Sequence, residues 1–184
     1  MPRRRLVFTW ARRAPQREEL GRVPEDLALT VKVLTPDDWR LWRQLRLEAL
    51  REAPYAFGAT LTYWQGEGDV EQRWRDRLTA VPFNVAAMVG GEPVGMVSGA
   101  RTDRTDETEL ISMWVAPAAR GRGVGDRLVG AVMDWSRSLP ASRVTLSVVA
   151  DNSPAIALYR RHGFKDAGAS PDGSSERLMV CELG

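Results

Sequence analysis

The sequence holds one cysteine, Cys181, and one histidine, His162, in 184 residues. A single thiol closes no internal disulfide and suits a reducing compartment. One cysteine and one histidine also make no zinc-type ligand set, so no metal is expected. No apolar run approaches the ~20 residues that cross a bilayer. The N-terminal MPRRRLVFTWARR is basic, but its apolar part, Leu6 to Trp10, is shorter than the core of about 7–15 residues in a secretory signal. The expectation is a cytoplasmic protein with no membrane partner. Strong charge of one sign is lacking too. The net charge is +2, and residues 1–27 hold seven arginines against four acids, a surplus of three that leaves the rest at −1. Nucleic-acid binding would want a basic face on the fold itself, so that reading is disfavoured.

What is present is ordinary globular composition, 43% hydrophobic and 27% charged. Residues 1–27, rich in Arg and Pro, read as a basic extension, flexible or peripheral. Residues 28–184 read as one domain, with no repeat and no long linker. LTVKVL (29–34) is a β-branched run and predicts a strand. Thr35 and Pro36 then open a helix as N-cap and first helical residue. Trp39, Trp42, Leu45, Arg46, Ala49 and Leu50 follow at three- and four-residue steps, and Pro54 ends the run. YAFGATLTYWQGEG (55–68) reads as an aromatic loop, and residues 69–80 as a second helix. FNVAAMVG (83–90) and EPVGMVSGAR (92–101) predict strands joined around Gly90-Gly91, with ELISMWVAP (109–117) as the next. A helix from about Arg122 to Leu139 would carry Val124, Leu128, Val132, Trp135 and Leu139 on one face. RVTLSVVA (143–150) is a strand. Ser153-Pro154 starts a helix that stops at Gly163, and FKDAG and ERLMVCEL end the chain as strands. The order βααβββαβαββ predicts a layered α/β fold with parallel pairing near the middle of its sheet.

Strand, glycine turn and helix meet in WVAPAARGRGVGDRL (114–128). The first turn of a helix leaves backbone N–H groups unpartnered at its positive end, and glycines let an anion approach them. Arg120 and Arg122 add positive charge. Asp126 suits the helix dipole but mildly opposes an anion. A phosphate-binding Walker loop would continue Gly-Lys-Ser/Thr, where this chain has Asp126, Arg127 and Leu128. The G-x-G-x-x-G dinucleotide pattern fails at Asp126, and RVTLSVV carries no acid at its end. A glycine turn that only starts a helix is the plain alternative.

Arg120-x-x-Gly123-x-Gly125, preceded by ISMWVAP, resembles the acetyl-CoA loop of the GNAT N-acetyltransferase superfamily, whose pattern is Gln/Arg-x-x-Gly-x-Gly/Ala. Downstream, VVADNSPAIALYRRHGF resembles that family's second signature at Asn152, Ala155, Leu158, Tyr159, Gly163 and Phe164. One helix and one strand separate the two, as in the family, and the resemblance covers about residues 28–183. It implies a mixed, mostly antiparallel central sheet with a splayed parallel pair. It also implies transfer of an acetyl group from acetyl-CoA, a cosubstrate, to a primary amine in a ternary complex. The cosubstrate contacts it implies are Met113, Trp114 and Val115 on the strand, Arg120, Gly121, Arg122, Gly123, Val124, Gly125 and Asp126 in the loop, and Asn152 beyond. A strand bulge would free the backbone groups that such a contact needs.

The same resemblance makes Tyr159 the acid that protonates the departing thiolate, with a backbone N–H near Val115 as a minimal oxyanion hole. Glu109, the one acid in ELISMWV, is the candidate base. In a regular strand it shares a face with Ile111, Met113 and Val115, a register that a bulge would break. Glu107, Asp103 and Asp106 lie close by, and Ser112 could position a water. Tyr55, Phe57 and Trp64, with Tyr63, read either as walls of an amine pocket or as core under a loop. His162 reads as a structural helix-end residue and Cys181 as an inert thiol. The acceptor is expected to be a small-molecule or peptide amine, and pairing into a homodimer fits such folds. The alternative function is an acyl-CoA sensor without turnover, which would have no use for an intact Asn152/Tyr159 pair.

Overall fold

Alternation of apolar and polar residues turns seven segments into strands of one sheet. They are β1 Leu29–Val33, β2 Phe83–Val89, β3 Glu92–Arg101, β4 Glu107–Val115, β5 Arg143–Val149, β6 Lys165–Ala169 and β7 Glu176–Glu182, in the order β1-β2-β3-β4-β5-β7-β6. This computed structural model describes residues 28–54, 61–170 and 175–184. Every neighbouring pair is antiparallel except β4 and β5, which run parallel. Among the described residues, five helices accompany the sheet: α1 Trp39–Glu52, α2 Leu61–Trp64, α3 Glu71–Ala80, α4 Val124–Arg137 and α5 Ser153–Arg161. The expected order of elements is observed, with the short α2 added inside the aromatic loop.

Each face of the sheet buries its own core. On one, Val85, Val97, Leu110 and Leu146 pack with Leu128 and Val132 of α4 and Tyr159 of α5. On the other, Ala86, Met96 and Trp114 pack with Trp42, Leu45 and Leu50 of α1 and with Trp74 and Leu78 of α3. The stripe read from α1 is therefore real: Trp42, Leu45 and Leu50 are almost wholly enclosed. Local chemistry sets its ends. The Asp38 carboxylate accepts from the Thr35 N–H at 2.9 Å across a 3₁₀ turn, Pro36–Asp38, and the helix proper begins at Trp39. Ala53 closes it by donating to the Ala49 carbonyl, just before Pro54.

Two of the boundaries that differ from expectation bear on the site. α4 begins at Val124, not Arg122, because Gly121 and Gly123 have φ of 72° and 77°, which no right-handed helix accommodates. β4 begins at Glu107, because its polar approach already pairs with Arg101 on one side and Arg143 on the other.

Candidate active site

β4 and β5 pair only at their start, from Glu107 opposite Arg143 to Glu109 opposite Thr145. Beyond that point they diverge and leave a gap. A bulge in β4 prepares the edge of this gap. Trp114 lies opposite Met96 and Ile111 opposite Ser98, so Ser112 and Met113 together face the single Val97. Ser112 takes a left-handed φ of 57°. The extra residue reverses the alternation. Leu110 packs on the α4 side, whereas Trp114 packs on the α1 side and Met113 and Val115 lean toward α4. The bulge breaks the regular-strand register: Glu109 shares its face with Ile111 and Trp114, not with Met113 and Val115. The Ala116 N–H donates to Val94 at 2.9 Å. Ladder alternation then turns the N–H and C=O of Val115 away from β3, into the gap.

The glycine loop lies at the wide end of that gap. Gly123 is the N-cap of α4 with no side-chain bond to the first turn, so those N–H groups face outward. No heavy atom lies within 4 Å of a Cβ built at Gly121 or Gly123, whereas one at Gly125 would come 2.9 Å from Leu158 Cδ2. The first two glycines serve backbone conformation, and the third serves the approach of α5 to α4.

The charged residues of the loop divide. Arg122 is exposed. Arg120 folds back, its Nε donating to the Val115 carbonyl at 3.0 Å and its Nη2 to Glu52 Oε2 at 2.8 Å. The indole of Trp114 donates to the same Glu52 oxygen at 3.0 Å. Glu52 escaped the sequence reading because its partners lie 62 and 68 positions away, and no local motif announces the contact. Asp126 turns to the end of α5, bonded by Arg161 Nη2 and His162 Nε2 at 3.1 Å each. Arg161 foremost, then His162, holds its carboxyl below the usual range despite some burial. The negative charge expected to oppose an anion is thus countered from α5.

Asn152 caps α5, its Oδ1 accepting from the Ala155 N–H at 3.3 Å. Tyr159 is 5% exposed, edge-on to Phe164 with ring centres 5.9 Å apart, and burial pushes its phenol well up. Glu109 is half-buried on the opposite face of the sheet. Desolvation raises its carboxyl, and the charges of Glu107 and Glu176 raise it further. Trp64 is buried and stacked on Trp74 at 4.5 Å. Tyr55 and Phe57 lie outside the described residues. Among the described residues, no group of three or more His, Cys, Asp or Glu could hold a metal ion, and no helix is long and apolar enough to cross a membrane.

Known proteins share this architecture and sequence. The model of the acetyltransferase (GNAT) family matches residues 40–164. A mycothiol acetyltransferase of Clavibacter michiganensis subsp. michiganensis is 30% identical over 167 residues, 89% of this chain and 51% of that protein. The N-alpha-acetyltransferase RimI of Mycobacterium tuberculosis is 40% identical over 97 residues, 50% of this chain and 60% of RimI. The chain therefore spans about half the length of the first of these relatives and under two thirds of the second. In fold, it is similar to the PaiA N-acetyltransferase of Thermoplasma acidophilum, solved in complex with coenzyme A. The TM-score is 0.69 at 14% identity, over 85% of this chain and 100% of that one.

Proposed function

Because the chain belongs to the GNAT acetyltransferase family, we propose that it moves an acetyl group from acetyl-CoA to a primary amine by direct attack in a ternary complex. The observation that carries this reading is the gap between β4 and β5, where Val115, opposite Gly95 of β3 on one side, has no β5 partner on the other and stands beside the glycine loop. Acetyl-CoA has the chemistry that such a gap suits. Its amide-bearing arm adds to the edge of β4 near Met113 and Val115, and its remaining polar groups take the side-chain amide of Asn152, which stands just beyond the end of β5. Its diphosphate takes the N–H groups of residues 121–126, where a helix start and left-handed glycines favour an anion. Asp126 contributes its backbone while Arg161 and His162 answer its carboxylate. Arg120 acts through Val115 and Glu52, which keep the edge strand and the loop in register.

The acceptor ammonium, ordinarily of pKa ~10.4, must first lose a proton. Glu109 takes it through water, and burial makes it a better base than an exposed glutamate. The amine nitrogen then bonds to the thioester carbon, and negative charge gathers on the carbonyl oxygen, beside the N–H groups around Val115. The C–S bond breaks as the electrons return: Tyr159 supplies the proton that the sulfur takes up, and the second proton of the attacking nitrogen, lost as the amide forms, restores the phenol. Its raised phenol stays protonated at neutral pH. A thiolate released in equally dry surroundings becomes more basic as well, so donor and acceptor stay matched.

Of Tyr55, Phe57 and Trp64, expected as an acceptor wall, Trp64 alone is among the described residues, and it packs on Trp74 in the core. The similarity to an N-alpha-acetyltransferase makes peptide α-amines worth testing beside small amines. The experiment is thiol release from acetyl-CoA across such a panel, with Tyr159→Phe in parallel. We expect release with at least one amine, and a kcat lower by roughly 10²–10⁴-fold in the variant with little change in KM. Tight CoA binding with no release for any amine would favour the sensor, and no CoA binding at all would end both readings.

A further inference from the structure

We propose that Arg77 is a positioning residue for the cosubstrate cleft: it holds the β4 bulge at Ser112, the distortion that turns Val115 toward the gap. The inference rests on the proposed function, which gives that gap its purpose.

Among the described residues, Ser112 is the one non-glycine with positive φ. Serine has neither the freedom of glycine nor the tolerance of asparagine for that region, so something beyond the strand must hold it there. Arg77, in the last turn of α3, is placed to do so. Its Nη2 donates to Ser112 Oγ and to Ser98 Oγ, each at 3.3 Å, and its Nη1 donates to Asn84 Oδ1 at 3.1 Å. Ser98 Oγ donates to the same Asn84 oxygen at 2.8 Å, and Asn84 Nδ2 donates back to the Val81 carbonyl at 2.7 Å. One guanidinium thus ties α3 to β2, β3 and β4, and Ser98 is the β3 residue at which the β3–β4 register breaks.

The chemistry of this tie is costly for a purely structural brace. The guanidinium lies over the Trp42 ring, 5.0 Å from its centre, and burial draws its pKa down to about 10. Burial draws neighbouring Arg46 down to about 10 as well, with help from the Arg77 charge. Arg77 meets these demands with neutral oxygens of Asn84, Ser98 and Ser112. An apolar side chain would fill the seam between α3 and the sheet with less desolvation. A forked cation reaching three strands does what an apolar residue cannot: it fixes where the bulge falls.

The test is rescue by glycine. Arg77→Met keeps bulk and removes the donors. It should weaken CoA binding about tenfold by calorimetry and speed amide exchange across residues 110–116. In Arg77→Met/Ser112→Gly, glycine adopts the left-handed conformation without a tether. Affinity should return to within about threefold of Ser112→Gly alone. Loss of affinity that glycine does not rescue would reduce Arg77 to a core brace and overturn the proposal. Unchanged affinity and exchange in Arg77→Met would overturn it as well. Should Arg77→Met fail to fold, Ser112→Ala removes only the tethered hydroxyl and carries the same expectation. If the unaltered protein binds no CoA, the proposed function fails, and amide exchange still decides whether Arg77 holds the bulge.

Discussion

Trp114 and Glu52 are joined by a hydrogen bond from indole Nε1 to carboxylate Oε2 at 3.0 Å, which fastens the last turn of α1 to the edge of the cleft. Arg120 reaches the same oxygen. Burial raises the Glu52 carboxyl, and the bonds from Trp114 and Arg120 outweigh it, so the group stays ionised further into acid than usual. Glu52→Ala leaves the N–H of a buried tryptophan without its acceptor, a change worth about 1–3 kcal/mol. We expect that loss in chemical denaturation, together with weaker CoA binding because Arg120 loses its anchor. Glu52→Gln keeps an acceptor for the indole and gives up only a half-exposed ion pair, so its loss should be under about 1 kcal/mol.

Glu109 points the other way in pH. Its folded carboxyl is raised above the unfolded value by desolvation first and by Glu107 and Glu176 next. The folded state therefore holds this proton more tightly than the unfolded chain does. The contribution of Glu109 to stability is undiminished below the unfolded value of about 4.3 and is lost as pH rises through the folded one. Glu109→Gln removes that decline. Denaturation at pH 4 and at pH 8 should find the variant gaining on the unaltered protein at the higher pH, while its kcat for acetyl transfer falls. A variant that lost ground to the unaltered protein between pH 4 and pH 8 would contradict the assignment.

Much of this was legible because the causes were local. The start of α5 at Ser153-Pro154, the glycine turn ahead of α4 and the α1 stripe each follow from residues a few positions apart. What stayed hidden depends on distant chain. The resemblance implies a bulge in this strand, yet nothing within ELISMWV says where it falls. The bulge arises from pairing with β3 and from Arg77, 35 positions before Ser112. Arg46 was visible as a break in an apolar stripe, yet Arg77, the charge that faces it, belongs to another helix.

Gly125 is held by contact, not by conformation. A Cβ there would meet Leu158 Cδ2 at 2.9 Å and Met113 Cε at 3.6 Å. Leu158 ends in a flexible side chain, so Gly125→Ala should be tolerated with a loss of about 1 kcal/mol, whereas Gly125→Val should lose about 1–3 kcal/mol as α5 is pushed from α4. Leu158→Ala added to Gly125→Val should recover part of the thermal stability, and an additive second loss would refute the steric account.

Gly123 makes the opposite case. No heavy atom lies within 4 Å of its Cβ position, so Gly123→Ala introduces no clash, yet φ is 77° at the N-cap of α4. The loss is backbone strain, about 1–2 kcal/mol, and it falls on the residue that aims the first-turn N–H groups. Asparagine tolerates the left-handed region and is a preferred N-cap. Gly123→Asn should therefore melt closer to the unaltered protein than Gly123→Ala does. Saturating CoA should raise the melting temperature of Gly123→Ala by less than it raises that of the unaltered protein, since a loop that relaxes its strain turns its amides away from the diphosphate. Equal ligand-induced shifts in all three proteins would mean that the conformation of Gly123 has no part in gripping the anion.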